Sequence, residues 1–354
     1  MTRPPLTTKT KRLLALLGGV LSLCLFFVLL EGFASLMLAW SVPHKSLLTE
    51  RTHCVYDPLL GWINESNVHV EDLYGQGLGL STNARALRGR NDVTPTPAPG
   101  RFRILCLGDS FTLGHGVDDS ATFPAWMERL HASLEAPNMG QGGYGVDQSY
   151  LWYRRDAADL EAQVVLLSFI APDFERMLSE RFQGQYPKPR LRVENGQLIY
   201  PSEPLPEDWT PTDKVLSRFT DNLSIVELFQ QLQWERGGPR LTDTSYQPIA
   251  EAVLVDLEKL VQERGGRLVL AHIPVRDRNV GYTDAVLAWL KPLAQRIDVP
   301  LINLADEFAG FVPGEADSLY LPAGHMNASG NRRLAELLTA RLRGLFPELP
   351  MSDL

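Results

Sequence analysis

The chain has 354 residues, of which 44% are hydrophobic and 21% charged, and a formal net charge of −8. This balance excludes a disordered chain, and the length suits about two average domains or one domain with additions. Lys and Arg make no dense run outside the N-terminus, which excludes a basic nucleic-acid surface, and Cys24, Cys54 and Cys106 form neither a disulfide framework nor a zinc pattern.

Residues 1–12 carry Arg3, Lys9, Lys11 and Arg12, and residues 13–30 hold no charge. Glu31 interrupts the run, after which residues 32–42 are apolar except for Ser35 and Ser41. An uncharged stretch of that length reaches the threshold for a spanning helix. The basic residues ahead of it predict a cytoplasmic tail over 1–12 and a transmembrane signal anchor over 13–40. A cleaved signal peptide is the main alternative. Its apolar region is usually about 7–15 residues long and is followed by a small-x-small site, which residues 36–40 do not offer. A buried core helix is the third reading, and it leaves the basic flank without a purpose. The predicted placement is single-pass in the cytoplasmic membrane, N-terminus cytoplasmic, with everything after Trp40 periplasmic or otherwise extracytoplasmic. Glu31 either snorkels to the interface or meets a partner helix.

Residues 41–100 read as a lead-in segment and linker. Tyr56-Asp-Pro-Leu-Leu-Gly-Trp62 combines turn residues with aromatic anchors, and residues 80–88 read as a short extended piece and a turn. Pro95, Pro97 and Pro99 favour an extended linker. Aromatic rings seek burial, so Tyr56 and Trp62 predict a lead-in that packs along the following domain; a bare stalk is the alternative.

From residue 101 the pattern alternates. Strands are predicted over 103–107, 136–139, 164–170, 267–273 and 300–304, and helices over 123–134, 148–158, 247–264, 284–296 and 329–345. In 247–264, Ile249, Val253, Leu257 and Leu260 recur at helical spacing before Gly265-Gly266 stops the helix. Near-continuous apolar strands alternating with helices imply a parallel sheet covered on both faces. The alternation breaks over 181–246, a loop-rich insertion with seven prolines. It contains a predicted hairpin over 191–200 with Asn195-Gly196 at the turn. Long insertions of this kind are usually functional. The segment is expected over the carboxyl edge of the sheet, shaping a cleft, with a partner-docking surface as the alternative.

The strand 103–107 runs into Gly108-Asp109-Ser110, with Gly114 and Gly116 opening the next loop. Such a turn sets a hydroxyl at the carboxyl end of a sheet, where open α/β folds hold ligands. It also sets backbone N–H groups where an oxyanion can develop. A strand that simply ends at a glycine turn reads the same way on the tripeptide alone.

Together with Asn138-Met-Gly-Gln-Gly-Gly-Tyr-Gly-Val-Asp-Gln148 and Leu321-Pro-Ala-Gly-His-Met-Asn-Ala-Ser-Gly330, this pattern resembles the SGNH, or GDSL-type, esterases and acetyltransferases. More narrowly, it resembles their membrane-anchored bacterial members. The resemblance covers roughly residues 56–345. It implies a flavodoxin-like three-layer α/β/α fold with a parallel sheet, occupying residues 101–350. It implies Ser110 as nucleophile, His325 as general base, and the amides of Ser110 and Gly143 as the oxyanion hole. Asp109, Asp173, Asp317 and Asn327 are the candidate supporting residues. Asp173 either orients a group in the cleft or caps a helix. His115, on the loop after Ser110, faces either solvent or substrate.

Two family features are missing. Pro172 stands where an oxyanion asparagine is usual and offers neither a side-chain amide nor an N–H. The triad carboxylate usually lies two or three residues before the base; Pro322 and Ala323 hold those positions, and Asp317 is the nearest preceding acid. Either Asp317 or a backbone carbonyl orients His325, or the site is a Ser–His dyad, or it is not catalytic. The expected function is an exported, membrane-anchored serine esterase acting on an acylated carbohydrate, such as an O-acetylated envelope glycan, or on another ester. The alternatives are an O-acetyltransferase on an envelope polysaccharide, or a degenerate protein that binds a glycan or a partner. The expected partners are substrate, the membrane through the N-terminal helix, and envelope-assembly proteins, with no nucleic acid, cofactor or metal.

Overall fold

The computed structural model describes residues 7–41, 52–157, 159–182, 186–207, 225, 244–275, 280–309, 316–322 and 324–348. The chain divides into two compact units, one comprising residues 1–45 with 209–238, the other residues 46–208 with 239–354.

In the first unit, α1 spans Thr8–Ser41. It is long and apolar enough to cross a membrane, lies near the N-terminus, and exposes Leu, Phe and Val along its length. A helix of that length rises about 50 Å, more than a hydrocarbon core of about 30 Å. A signal sequence meets the same criteria. Glu31 accepts a hydrogen bond from the backbone N–H of Ile225 at 3.1 Å, so its partner includes the chain's own insertion.

The second unit begins with two antiparallel hairpins, β1 (Cys54–Asp57) with β2 (Gly61–Asn64), and β3 (His69–Val70) with β4 (Leu80–Ser81). The lead-in therefore has structure of its own, and Trp62 is almost fully buried. The proline-rich stretch is pinned. Pro95 O accepts from Glu161 N at 2.8 Å and from Arg103 Nη1 at 3.0 Å, and Ala98 N donates to Glu135 Oε1 at 2.8 Å.

The α/β part follows as β5 (Phe102–Gly108), α2 (Ser110–Leu113), α3 (Phe123–Leu130), β6 (Leu134–Glu135), β7 (Asn138–Gly140), α4 (Val146–Asp156), β8 (Val164–Phe169) and α5 (Pro172–Arg176). The insertion contributes the antiparallel pairs β9 (Arg181–Phe182) with β10 (Tyr186–Pro187) and β11 (Arg192–Glu194) with β12 (Gln197–Ile199). The chain then adds α6 (Gln247–Gln262), β13 (Arg267–His272), α7 (Val280–Arg296), β14 (Leu301–Asn303), α8 (Ala305–Ala309) and α9 (Ala328–Leu345).

All pairings in the central sheet are parallel, in the order β14-β13-β8-β5, with β6 and β7 sharing the last edge. Counting β6 and β7 as one strand position, this is the flavodoxin-like order 2-1-3-4-5. Helices α3 and α9 pack together, as do α4 and α6. The three-layer α/β/α fold expected above is present. β5, β8 and β13 are buried almost throughout, which is why they read as unbroken apolar runs.

One expectation changes and another holds. The helix predicted over 123–134 stops at Leu130, because His131 turns extended and Leu134 leaves to pair with Phe102. The hairpin 191–200 forms, with Asn195 and Gly196 both at positive φ as a type I′ turn needs. It packs against α6. Tyr200 holds it there, its hydroxyl 2.6 Å from Tyr150 Oη and 3.4 Å from Asp256 Oδ2. Residues 208–224 and 226–243 of the insertion lie outside the described residues.

Candidate active site

The sheet order reverses between β5 and β8, and ligands of open α/β sheets bind at such a switch point. β5 ends there at Gly108, whose φ is +153°. A Cβ at this position would sit 2.2 Å from Thr112 Oγ1 and 2.5 Å from Ser168 O, so the turn demands glycine. Asp109 caps the single-turn helix α2, its Oδ1 accepting from Phe111 N at 2.9 Å. Ser110 is the first residue of that turn, and its Oγ lies 2.7 Å from His325 Nε2. Residues 215 positions apart thus come within the hydrogen-bond distance that a nucleophile and its base would need.

Short-range bonds place His325. Leu321 N donates to His325 O at 2.7 Å, Gly324 N to Leu321 O at 2.9 Å, and Asn327 N to Leu319 O at 3.0 Å. Asn327 caps α9 by accepting from Gly330 N at 3.0 Å, and its amide donates to Ser318 O at 2.6 Å. Its supporting role is therefore to hold the turn. Asp317 lies in the 3-10 turn Ala316–Leu319, and its side chain is outside the described residues.

The His325 ring packs between Phe111, 4.9 Å away between centroids, and His115, 4.6 Å away. His115 in turn meets the edge of Tyr74 at 4.9 Å. His115 is half-buried, and its ring lies against His325. Burial, with Arg88 adding to it, pushes its pKa down to about 4. A neutral imidazole leaves a neighbouring imidazolium unopposed, where a second charge would repel it. Arg88 is buried and braces the loop after Ser110, donating to the carbonyls of Leu113, Gly114 and Val117, each at 2.6 Å.

On the other side of Ser110, β7 leads into residues 141–145. Gln141 N donates to Gly108 O at 3.1 Å, which ties this loop to the nucleophile turn. Gly143 has φ +74°, and a Cβ there would lie 2.4 Å from the Phe182 ring. Phe182 comes from the insertion, so part of that segment does border the site. The amides of Ser110 and Gly143 donate to no acceptor among the described residues.

Beneath both lies a buried ionic cluster. Arg176 Nη1 donates to Asp173 Oδ1 at 2.5 Å, to Asp109 Oδ2 at 3.2 Å and to Tyr144 O at 3.0 Å. Asp173 Oδ2 also accepts from Ile170 N at 3.0 Å. Burial, then the charge of Asp109, holds the Asp173 carboxyl well above the usual carboxylate range, with Arg176 opposing. Burial raises Asp109 as well, again against Arg176. Asp109 Oδ2 is 3.5 Å from Ser110 Oγ, so this cluster borders the nucleophile. Pro172 occupies the first turn of α5 and supplies no donor.

Lys188 is buried next to the loop, its Nζ 3.8 Å from Asp147 Oδ1 and hydrogen-bonded to Gln148 Oε1. Burial pushes its pKa down to about 8, with Asp147 opposing. Sequence reasoning did not single out Arg88, Arg176 or Lys188. Spacing marks only Arg176, three residues after Asp173 on the same short helix.

No protein-family model and no curated protein matches the sequence. Among solved structures, the chain is similar to the lipase/acylhydrolase from Enterococcus faecalis, at 13% identity over 72% of this chain and 100% of that one, with a TM-score of 0.41. It is similar to a member of the lipolytic G-D-S-L family from Veillonella parvula DSM 2008, at 15% identity over 68% and 97%, with a TM-score of 0.40. It is also similar to the acetyl xylan esterase AlAXEase, at 15% identity over 68% and 100%, with a TM-score of 0.42.

Proposed function

We propose that this protein is an exported, membrane-anchored carboxylic ester hydrolase of the SGNH type, acting through Ser110 and His325. The 2.7 Å contact between Ser110 Oγ and His325 Nε2, at the switch point of the sheet, is the observation that carries the reading. In the reaction Ser110 Oγ attacks the acyl carbonyl carbon and His325 takes the hydroxyl proton. The amides of Ser110 and Gly143 bind the oxyanion. The bond to the leaving alkoxide breaks and His325 returns the proton to it. Water then attacks the acyl-serine by the same route, releasing the acid and free Ser110. The lone proline at 172 gives an oxyanion hole of two amides, and slow turnover is expected because one lost donor costs about 10²–10³ in a serine protease. The basic flank and length of α1 support an uncleaved anchor with the hydrolase domain outside the membrane, where acylated envelope glycans are the substrates in reach.

Full-length protein in detergent, incubated with an aryl acetate and separately with a fluorophosphonate, tests the reading. Turnover and labelling at Ser110 are expected in the wild type, and both are expected to vanish in Ser110→Ala. A folded wild type that shows neither sinks it and favours a binding protein.

A further inference from the structure

The amide assigned to the oxyanion belongs to the peptide joining Gly142 to Gly143. Tyr144 N donates to Gln141 O at 3.3 Å, so residues 141–144 form a β-turn and this peptide is its central unit. Gly143, the third residue, has φ +74°, the value of a type II turn. Types I and II differ by a flip of that central peptide. With glycine at both central positions, the side chains themselves favour neither.

The flip is decided by a residue of the lead-in. Trp62 Nε1 donates to Gly142 O at 3.0 Å, and both groups are buried. The peptide is planar and trans, so its C=O and N–H point in opposite directions. Anchoring the Gly142 carbonyl on the indole therefore aims the Gly143 N–H away from Trp62. Flipping the peptide would strand both a buried indole donor and the carbonyl, leaving two buried polar groups unpaired.

Trp62 is itself fixed. Its ring stacks on Phe182 at 5.7 Å and packs on Tyr186 and Tyr144 at 5.3 and 5.4 Å. Its own carbonyl accepts from Tyr144 Oη at 2.5 Å, and the adjacent Leu60 O accepts from Gln148 Nε2 at 2.7 Å. On the far side of β2, a Cβ at Gly61 would collide with Pro187 O, so the insertion closes directly over this strand.

We infer that Trp62 is a positioning residue for the oxyanion hole, holding the Gly142–Gly143 peptide in the one orientation that presents the Gly143 N–H to the reacting carbonyl. The lead-in is then part of the active site although it lies outside the parallel-sheet domain. The inference rests on the esterase reading.

The test compares wild type, Trp62→Phe and Tyr56→Phe as full-length proteins. Trp62→Phe keeps an aromatic ring while deleting the indole donor and part of the buried ring volume, a packing loss that Tm reads. Tyr56→Phe deletes the hydrogen bond from Tyr56 Oη to Leu205 O on the same hairpin, at the residue that pairs with Trp62 across the two strands. Three quantities are read: aryl-acetate kcat and KM, the rate of fluorophosphonate labelling, and Tm. For Trp62→Phe, kcat and labelling are expected to fall about 10–100-fold with KM within about threefold. Tyr56→Phe is expected to lower Tm and leave kcat and labelling near wild type. If Trp62→Phe labels within twofold of wild type, or if Tyr56→Phe loses as much, Trp62 is only structural and the inference fails. Absence of labelling in the wild type instead fails the esterase reading beneath it.

Discussion

The two sides of Ser110 are held by different means. On the base side, His325 sits in a turn closed by backbone bonds between residues 319 and 331, all within one stretch of chain. On the other side, residues 142–147 meet groups from three distant stretches of chain: Trp62, Arg176, and Phe182 with Lys188. The base side uses caps and tight turns, which are modest and additive. The oxyanion side uses buried charges and rings, each depending on its neighbours. A perturbation of the second kind spreads further, because a buried charge without its partner is far more expensive than a lost cap.

The largest effect is expected from Arg176→Met. It leaves Asp109 and Asp173 facing each other without the cation that bridges them, and should remove about 3–5 kcal/mol, seen as a fall in Tm of about 10 °C or more. The sign with pH follows from the raised carboxyls. Their folded pKa lies above the unfolded one, so the stability they allow is present at low pH and is lost as pH rises through the folded value. Without Arg176 those values rise further. The deficit against wild type should be greatest near pH 7 and shrink toward pH 4, and a deficit that ignores pH would refute the electrostatic account.

A smaller loss, about 1 kcal/mol, is expected from Asn327→Ala, with Tm lower by about 2–4 °C. Thermal denaturation of both variants tests the contrast directly: equal losses would abolish it. His115→Phe is expected to act through pH. His115 has a folded pKa of about 4, below the ordinary histidine value. The stability from keeping it neutral is complete above that ordinary value and is lost as pH falls toward 4. The phenylalanine variant should therefore lose less Tm than wild type between pH 7 and pH 4.5. Parallel curves would mean that the ring against His325 does not titrate in this way.

Much of this is legible in the sequence. Apolar runs with helical segments between them announced a parallel sheet, because strands buried on both faces need no polar alternation. The nucleophile turn and the His325 turn are contiguous motifs. Their glycines and caps act within a few residues, so their spacing is written in the chain. The end of the helix at Leu130 was not legible, since Leu134 suits a helix as well as a strand and only Phe102 decides between them. Nor was the docking of residues 191–200, where a correct turn says nothing about the face the hairpin will meet.

By itself, then, the sequence determined the strand order's ingredients, the α1 helix and the local geometry around Ser110 and His325. Only the tertiary structure decided that these two meet, that His115 lies against His325, and that Trp62 donates to the Gly142 carbonyl. The physical reason is range. Turns and caps are satisfied by neighbours in the chain, whereas a buried carbonyl, a buried charge or a flippable peptide is satisfied by whichever distant segment packs against it.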